Sequence, residues 1–356
     1  RLVALGVARR RGHTRATAWR HRRCSAGAGP VALGTGVLFV AQVLVGAGVV
    51  WTLSSGATQV AHLALASAVW AGTVALATLV WQAPRRGALA DAPSAPEGAG
   101  RTLWATLSDY LALTKPAIIT LLLVTALGGM LLAARGVPPL PLVAAVLGGG
   151  ALAAGGANAL NHYLDRDIDG RMRRTRHRPI PGRRVSPRRA LVFGVALNVV
   201  AFGVLTLGAN LLSAALTLAG SLFYVLVYTR WLKRSTTQNI VIGGAAGAVP
   251  PVVGWAAVTG GLDLPALYLF AIVFFWTPPH FWALALLIRD DYAEARVPML
   301  PVVQGEKATA WAILLYTLVL VAISLLLYTT RVLGIFYLVA AALLGAVVML
   351  LLFNPL

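Results

Sequence analysis

Apolar runs of about 20 residues recur along this chain, and a helix of that length crosses a hydrocarbon core of roughly 30 Å. Backbone groups inside such a core must satisfy their hydrogen bonds within the protein, so only helices or a closed barrel can span it. Runs such as AILLYTLVLVAISLLLY lack the alternation of a barrel strand. The sequence therefore predicts an all-α, polytopic transmembrane helical bundle.

The apolar runs predict ten spans in two units. They lie at residues 32–53, 59–82, 115–134, 140–162, 189–208, 211–229, 239–259, 264–288, 308–329 and 331–353. The intervening segment 82–102 is rich in Ala, Pro and Gly, which is typical of a flexible linker. We therefore expect a first unit over residues 1–88, a linker over 89–113 and a second unit over 114–356.

Positive charge indicates the orientation. The loop 163–188 carries nine arginines, whereas the turns near 135–139, 209–210 and 260–263 carry almost no positive charge. Cytoplasmic loops hold the excess of Arg and Lys, so this loop is expected in the cytoplasm. The net charge of +19 is then explained by arginines and lysines that orient the chain in the membrane and contact anionic lipid, rather than by binding of nucleic acid. The single cysteine, Cys24, excludes an intrachain disulfide.

Six of the eleven acidic residues fall in two short stretches on this same side. In the first, Asn161, Asp165 and Asp169 follow the spacing i, i+4, i+8, which places them on one stripe of a helix, while Asp167 points roughly the other way. Carboxylate and amide oxygens are ligands for Mg²⁺, which typically bridges a carboxylate to a substrate phosphate. The alternative is that these acids only neutralise the neighbouring arginines.

Cations beside the stripe favour a phosphate site. Arg174 and Arg178 belong to a turn-rich arginine cluster, and guanidinium groups bind phosphate in a bidentate manner. Lys233, in the next cytoplasmic turn, is a further candidate phosphate contact. Acids that hold a metal next to cations that hold oxyanions predict a diphosphate site.

The sequence around these residues resembles a known family. The N-x-x-x-D-x-x-x-D pattern of Asn161, Asp165 and Asp169 is that of the UbiA superfamily of intramembrane prenyltransferases. The segments NHYLDRDIDGRMRRTRHRPIPGRRVSP, YTRWLKRSTTQNIVIGGAAGAVPPVVGWAA and FFWTPPHFWALALLIRDDYAEARVPMLPVV are similar to the protohaem IX farnesyltransferases, or haem O synthases, within it.

The resemblance implies a bundle of nine helices that uses Mg²⁺, takes farnesyl diphosphate as donor and haem B as acceptor, and releases diphosphate. It implies a bacterial plasma (inner) membrane, with the active site toward the cytoplasm. Asp165, Asp169 and Asp291 would be catalytic through the metal. Eight spans follow the linker, so we expect the C-terminal end to be truncated relative to the family.

The second acidic stretch departs from the superfamily pattern, because Leu287 stands where an acid would precede Asp291 by four residues. We expect Asp291 to be the principal metal ligand there, Glu294 to assist, and Asp290 to face solvent or an arginine. His280 lies eleven residues before Asp291, which returns it to the same face of a continuous helix. It is expected either to bind haem iron or manage a proton in the cavity, or to pack at a proline kink.

The first unit carries one histidine, His62, within an apolar span, where neutral imidazole is a common haem ligand. QVLVGAGVVWTL and AHLALASAVW resemble the last two helices of haem A synthase. This resemblance implies functional coupling to that enzyme, with His62 as a possible haem ligand. Two helices alone cannot enclose a porphyrin.

Two rival functions remain open. A sister prenyltransferase acting on a quinone or chlorophyll precursor would carry the same metal stripe and differ only in its acceptor cavity. A transporter or ion channel would also contain acidic residues, but these would be distributed through the membrane thickness. Here the acids lie at one face beside the arginine-rich loop.

Overall fold

A computed structural model describes residues 102–353 and, before them, Val37 alone. The described stretch belongs to the second of the two units into which the chain divides, Gly100–Leu356. Apart from Val37, the predicted spans at 32–53 and 59–82, the linker residues before 102, and His62 lie outside the described residues. Within 102–353 all regular structure is helical, and seven helices are long and apolar enough to cross a membrane.

The helices follow one another with short connections. Their bounds are α1 Leu103–Thr114, α2 Pro116–Ala134, α3 Leu140–Leu164, α4 Arg166–Arg171, α5 Pro187–Gly208, α6 Leu211–Leu222, α7 Asn239–Thr259, α8 Leu264–Leu287, α9 Arg289–Glu294, α10 Leu300–Val303, α11 Gly305–Leu326 and α12 Ile335–Phe353. A π-helical segment, Phe223–Leu232, and a last turn, Lys233–Ser235, extend α6 into one span, Leu211–Ser235.

Local sequence signals start several of these helices. The side chains of Thr102, Ser186 and Asn210 each accept a hydrogen bond from a backbone N–H three residues later, at α1, α5 and α6. These bonds satisfy donors that the first helical turn leaves unpaired. The prolines in the first turns of α2, α3, α5 and α8 cost little, because no intrahelical bond needs their missing N–H.

All eight spans predicted between residues 115 and 353 correspond to helices in the structure. The agreement has a physical origin, since many large apolar side chains remain exposed on the helices and only lipid can cover them, as Leu207 at 90% and Leu350 at 68% illustrate.

Two expectations need correction. Helix α1 occupies part of the segment expected to be a linker, so helical structure of the second unit is present from Leu103, before residue 114. Helix α8 ends at Leu287, and Ile288, with φ −123° and ψ 31°, separates it from α9. The continuous helix that was expected to align His280 with Asp291 is therefore interrupted.

Glycines allow α2 and α7 to approach each other closely. A Cβ atom added at Gly129 would collide with the carbonyl oxygen of Pro251, and one added at Gly254 would collide with that of Ala126. Small residues at such crossings let helix backbones come together within a membrane. The backbones of the two helices are therefore in direct contact at these glycines.

A hydrophobic cluster fixes the loops at the end of the bundle that carries the acidic residues. Its buried members are Ile168, Met172, Ile240, Trp282, Ala295, Val297, Met299, Leu300 and Ile313. They come from α4 and the segment after it, from α7 and α8, from the segment around α10, and from α11. Because both acidic stretches border this cluster, packing holds them at the same end of the protein.

Candidate active site

Asn161, Asp165 and Asp169 form the expected stripe. Helix α3 ends at Leu164 and Asp165 has φ −87° and ψ 5°, so the helix is interrupted within the stripe. The i to i+4 bonding nevertheless persists, because the N–H of Asp165 donates to Asn161 O and that of Asp169 donates to Asp165 O, both at 2.8 Å. The three residues are buried, with at most 3% of each exposed. Their side chains lie inside the protein at the end of the membrane span.

Each buried carboxylate of the stripe faces a cation from another segment. Lys233 Nζ lies 2.5 Å from Asp165 Oδ2. Arg178 Nη1 donates to both oxygens of Asp169, at 2.8 and 2.9 Å. A lysine and an arginine therefore hold the two buried acids in ion pairs. Arg174 is exposed in the same loop.

Lys115 is a functional candidate that the sequence reasoning missed. It adopts a left-handed conformation, φ 57°, between α1 and α2, and its Nζ donates to Asn161 Oδ1 at 2.7 Å. Burial of the ammonium, together with the nearby positive charges of Arg178 and Lys233, lowers the Lys115 pKa to about 7. Cations from three separate segments therefore converge on one stripe. A lysine directly before a proline at a span end was the available signal, but it also suits a topology residue.

Asn161 positions Asp165 in this arrangement. Its Nδ2 donates to Asp165 Oδ2 at 2.8 Å and to Thr229 Oγ1 at 3.1 Å, while its Oδ1 accepts from Lys115. Thr229 and Lys233 both belong to the extension of α6, where the π-helical segment ends, and wide turns of this kind often occur at functional sites. These hydrogen bonds thus link α3, the extended α6 and the start of α2.

Asp167 points away from the stripe, as expected. Its side chain is 53% exposed, and both its oxygens accept hydrogen bonds from Arg234, at 2.8 and 2.7 Å. Hydrogen bonding to Arg234 lowers the Asp167 pKa to about 2. Asp167 therefore forms an ion pair with Arg234 on the outer side of the helix.

One atom of the stripe is suited to a metal ion. Asp165 Oδ1 is buried and accepts no hydrogen bond from any residue that the structure describes, and Arg234 Nη2 lies 3.8 Å from it. A buried carboxylate oxygen without a donor is costly unless a ligand completes it. The donor set of Asp165 and Asp169 fits Mg²⁺, which takes one or two carboxylates and completes its shell with water and phosphate oxygens. Within residues 102–353, no three acidic, histidine or cysteine side chains cluster closely enough to hold an ion by themselves.

The second acidic stretch lies on the short helix α9. Asp290 is fully exposed, 3.9 Å from Arg289, as expected. Asp291 is half-buried, and Glu294 is exposed. Burial raises the pKa of the Tyr292 phenol. The positive charges of Arg174 and Arg178 lower this pKa, whereas the negative charges of Asp165 and Asp291 raise it further. Both acidic stretches and the arginine loop therefore lie within electrostatic range of one side chain.

His280 lies on the exposed side of α8. It stacks on Trp276, with ring centroids 4.5 Å apart, and Leu284 on the same side is 40% exposed. Trp282, on the opposite side, is buried in the cluster that borders the acidic stretches. The expected alignment of His280 with Asp291 is wrong, because it requires one continuous helix and Ile288 interrupts the helix between them.

His162 is a second residue that the sequence reasoning passed over. It follows Asn161 directly and is 2% exposed, and neither ring nitrogen has a hydrogen-bond partner within the described stretch 102–353. A buried imidazole without a partner is unusual. Its neighbour Asn161 carried the motif, and no further pattern in the sequence singled out the histidine.

Comparisons with known proteins agree with this architecture. The family model described as the UbiA prenyltransferase family matches residues 122–354. A protein from Symbiobacterium thermophilum named "Protoheme IX farnesyltransferase" is 59% identical over 237 residues, covering 67% of this chain and 79% of the relative. One of the same name from Thermus thermophilus is 53% identical over 322 residues, covering 90% of this chain.

The chain spans about half the length of the Thermus relative, 52%. The 322 matched residues outnumber those of Gly100–Leu356, so the similarity extends into the N-terminal part of the chain.

Solved structures share the fold. A digeranylgeranylglyceryl phosphate synthase has a TM-score of 0.59 at 19% identity, covering 70% of this chain and 87% of its own. A UbiA homologue from Archaeoglobus fulgidus, bound to DMAPP and Mg²⁺, has a TM-score of 0.57 at 17% identity, covering 69% and 86%. The helical bundle, the buried stripe and the match over most of the described residues lead to one conclusion: the chain belongs to the UbiA prenyltransferase family.

Proposed function

We propose that this chain transfers a farnesyl group from farnesyl diphosphate to a vinyl group of haem B, giving haem O and diphosphate. The observation that carries the proposal is the pairing of two buried carboxylates, Asp165 and Asp169, with Lys233 and Arg178. Relatives at 53% and 59% identity bear the name protoheme IX farnesyltransferase, which supports farnesyl as the donor group and haem as the acceptor.

The two ion pairs contain both the groups that would bind a metal ion and the groups that would bind a diphosphate. Asp165 and Asp169 would hold the metal ion, and Lys233 and Arg178, which pair with them here, would bind the phosphate oxygens. No buried charge is left unpaired either with these ligands or without them, which avoids the large cost of an isolated buried ion. Lys115 then contributes a third cation to the diphosphate, from the start of α2.

The chemistry follows from these contacts. Bound Mg²⁺ would supply positive charge that stabilises the departing diphosphate. The cations of Lys115, Lys233 and Arg178 bind and orient that leaving group, and the apolar helix walls exclude water from the allylic carbon. A porphyrin vinyl carbon bonds to farnesyl C1 as the bond from C1 to the diphosphate oxygen breaks. Water then adds at the neighbouring, electron-deficient vinyl carbon and releases one proton to solvent, which leaves the hydroxyl group.

The test is a product assay with the purified full chain in lipid nanodiscs. Haem B, farnesyl diphosphate and MgCl₂ are supplied, and porphyrin products are identified by mass spectrometry. We expect a Mg²⁺-dependent product with the mass of haem O and release of diphosphate. If haem B is unchanged while a quinone precursor offered in parallel is prenylated, the sister prenyltransferase is the correct function.

The location of charge argues against a transporter or channel. In the described residues, the buried acids are Asp109, Asp165 and Asp169, and all three lie at the end of the bundle that carries the arginine loop. An ion pathway needs polar groups through the membrane depth. We propose that this end faces the cytoplasm of a bacterial inner membrane, as its arginine content indicates.

The N-terminal unit carries a separate proposal. Residues 1–88 resemble the last helices of haem A synthase, and His62 is proposed as a haem ligand there, with residues 89–102, before the start of α1, as the connection to the prenyltransferase unit. Joining two enzymes that act on successive haem compounds supports functional coupling between them. A complete haem pocket would need further helices beside these two.

The second acidic stretch offers a matched pair of variants. We propose Asp291 as its principal metal ligand, with Glu294 assisting, because Asp291 is half-buried near the arginine loop and Asp290 is fully exposed. Asp291→Ala is expected to lower the turnover of farnesyl diphosphate by about a hundredfold, the scale of losing a few kcal/mol of charge stabilisation. Asp290→Ala should retain turnover within about twofold, because a fully exposed charge contributes little.

The readout is initial rate at saturating Mg²⁺, together with the Mg²⁺ concentration at half-maximal rate, which should rise in the Asp291 variant. Activity that survives in Asp291→Ala and disappears in Asp290→Ala would reverse the assignment of ligands within α9.

A further inference from the structure

A basic cleft lies on the outer side of the bundle, away from the buried stripe. It occupies about 550 Å³ where α3 and the extended α6 end, and we call it the Arg230 cleft. Its lining residues are Tyr163, Leu164, Arg166, Asp167, Arg230 and Arg234. The cleft therefore combines three guanidinium groups, one carboxylate and two partly apolar walls.

The charges in the cleft do not cancel. Asp167, the single acid, is already bound by Arg234 through two hydrogen bonds. Arg166 donates to the carbonyl oxygen of Tyr163 at 2.7 Å and lies over the Tyr163 ring, 4.7 Å from its centroid. These contacts fix the guanidinium of Arg166 and use one of its five donors. Within residues 102–353, Arg230 makes no hydrogen bond or ion pair. Arg166 and Arg230 therefore both have N–H donors that no carboxylate of the cleft binds.

An apolar surface leads from the cleft along the membrane helix. Leu222, Leu226 and Arg230 succeed one another at successive turns of the span Leu211–Ser235, and the two leucines are 49% and 56% exposed. Trp231, beside Arg230, is 64% exposed. Tryptophan is enriched where a membrane helix meets the headgroup layer. On this face of the span, the exposed leucines Leu222 and Leu226 therefore lead to the positively charged side chain of Arg230.

We propose that the Arg230 cleft binds the phosphate headgroup of an anionic phospholipid, whose acyl chains lie along Leu222 and Leu226. Arginine forks match phosphate oxygens in a bidentate manner, and basic pockets between membrane helices bind anionic headgroups. The lipid belongs to the leaflet on the side of the arginine-rich loop. This assignment goes beyond the prenyl transfer and does not depend on it.

The cleft is distinct from the candidate active site. Arg234 separates the two, because it holds Asp167 and the Leu164 carbonyl oxygen on the cleft side and stands 3.8 Å from Asp165 on the other. The cations that face the stripe, Lys233 and Arg178, do not line the cleft. A headgroup bound to Arg166 and Arg230 therefore leaves the diphosphate-binding cations available.

Native mass spectrometry of the delipidated full chain in a non-ionic detergent tests the proposal. The protein is titrated with phosphatidylglycerol or with phosphatidylcholine of the same acyl chains. We expect one phosphatidylglycerol to bind in clear preference to phosphatidylcholine. Arg166→Gln with Arg230→Gln should weaken that binding by about fivefold for each arginine removed. Arg166→Lys with Arg230→Lys should retain more of it, because the charge remains.

The matched control is Arg188→Gln with Arg189→Gln, two exposed arginines at the start of α5 that remove the same charge outside the cleft. It should bind phosphatidylglycerol as the unmodified chain does. An equal loss in the control would show general attraction to a basic surface and overturn the proposal. Displacement of the lipid by millimolar inorganic diphosphate would do so too, since it would assign the cleft to a soluble phosphate compound.

Discussion

Asp165→Asn is expected to lower prenyl transfer by at least about a thousandfold, because an amide keeps the shape of the side chain but loses the charge that binds Mg²⁺. Asp165 has no exposed surface, and its Oδ1 has no hydrogen-bond donor among residues 102–353. Asp167→Asn should cost less than about fivefold, since a partly exposed ion pair contributes at most about 1 kcal/mol. Initial rates at saturating Mg²⁺ and farnesyl diphosphate measure both effects.

The Asp165 variant also leaves the Lys233 ammonium without its carboxylate, which costs stability in a buried site. Asp165→Asn combined with Lys233→Met removes both charges and should keep the unfolding temperature close to that of the unmodified protein while remaining inactive. Similar losses from Asp165→Asn and Asp167→Asn would contradict the stripe, and near-normal activity in the double variant would exclude a metal at Asp165.

Gly254→Ala and Gly129→Ala are each expected to destabilise the bundle by about 3 kcal/mol, the upper part of the range for overpacked cores. In each case the added methyl group would meet a backbone carbonyl oxygen of the facing helix, and backbone cannot rotate away as a side chain can. Relieving the collision requires α2 and α7 to separate along their whole contact. Thermal unfolding in detergent, followed by circular dichroism, measures the loss.

Gly128→Ala and Gly247→Ala are the matched controls on the same two helices, because a Cβ atom at either position meets nothing within 4 Å. They should be neutral or slightly stabilising, since alanine favours the helix over glycine by about 1 kcal/mol. Equal destabilisation by controls and tests would show that the glycines act through helix propensity rather than through the close crossing.

Much of the fold could be predicted because a bilayer leaves few options. The span expected at 239–259 coincides with α7, Asn239–Thr259, and the other spans after residue 115 also correspond to helices. The interruption at Ile288 and the π-helical extension of α6 could not be predicted, since the pattern of apolar residues does not reveal a single non-helical residue or a change from α- to π-helical hydrogen bonding. Helix α1 was missed because its sequence directly follows the Ala- and Pro-rich segment.

The sequence by itself determined the membrane bundle and the stripe of Asn161, Asp165 and Asp169, because hydropathy and the helical repeat act over a few residues at a time. Only the tertiary structure decided which cations face that stripe. Lys115 is 46 residues from Asn161, and Lys233 is 68 residues from Asp165. No local pattern distinguishes these lysines from others at span ends, because their positions depend on how α2, α3 and α6 pack against one another.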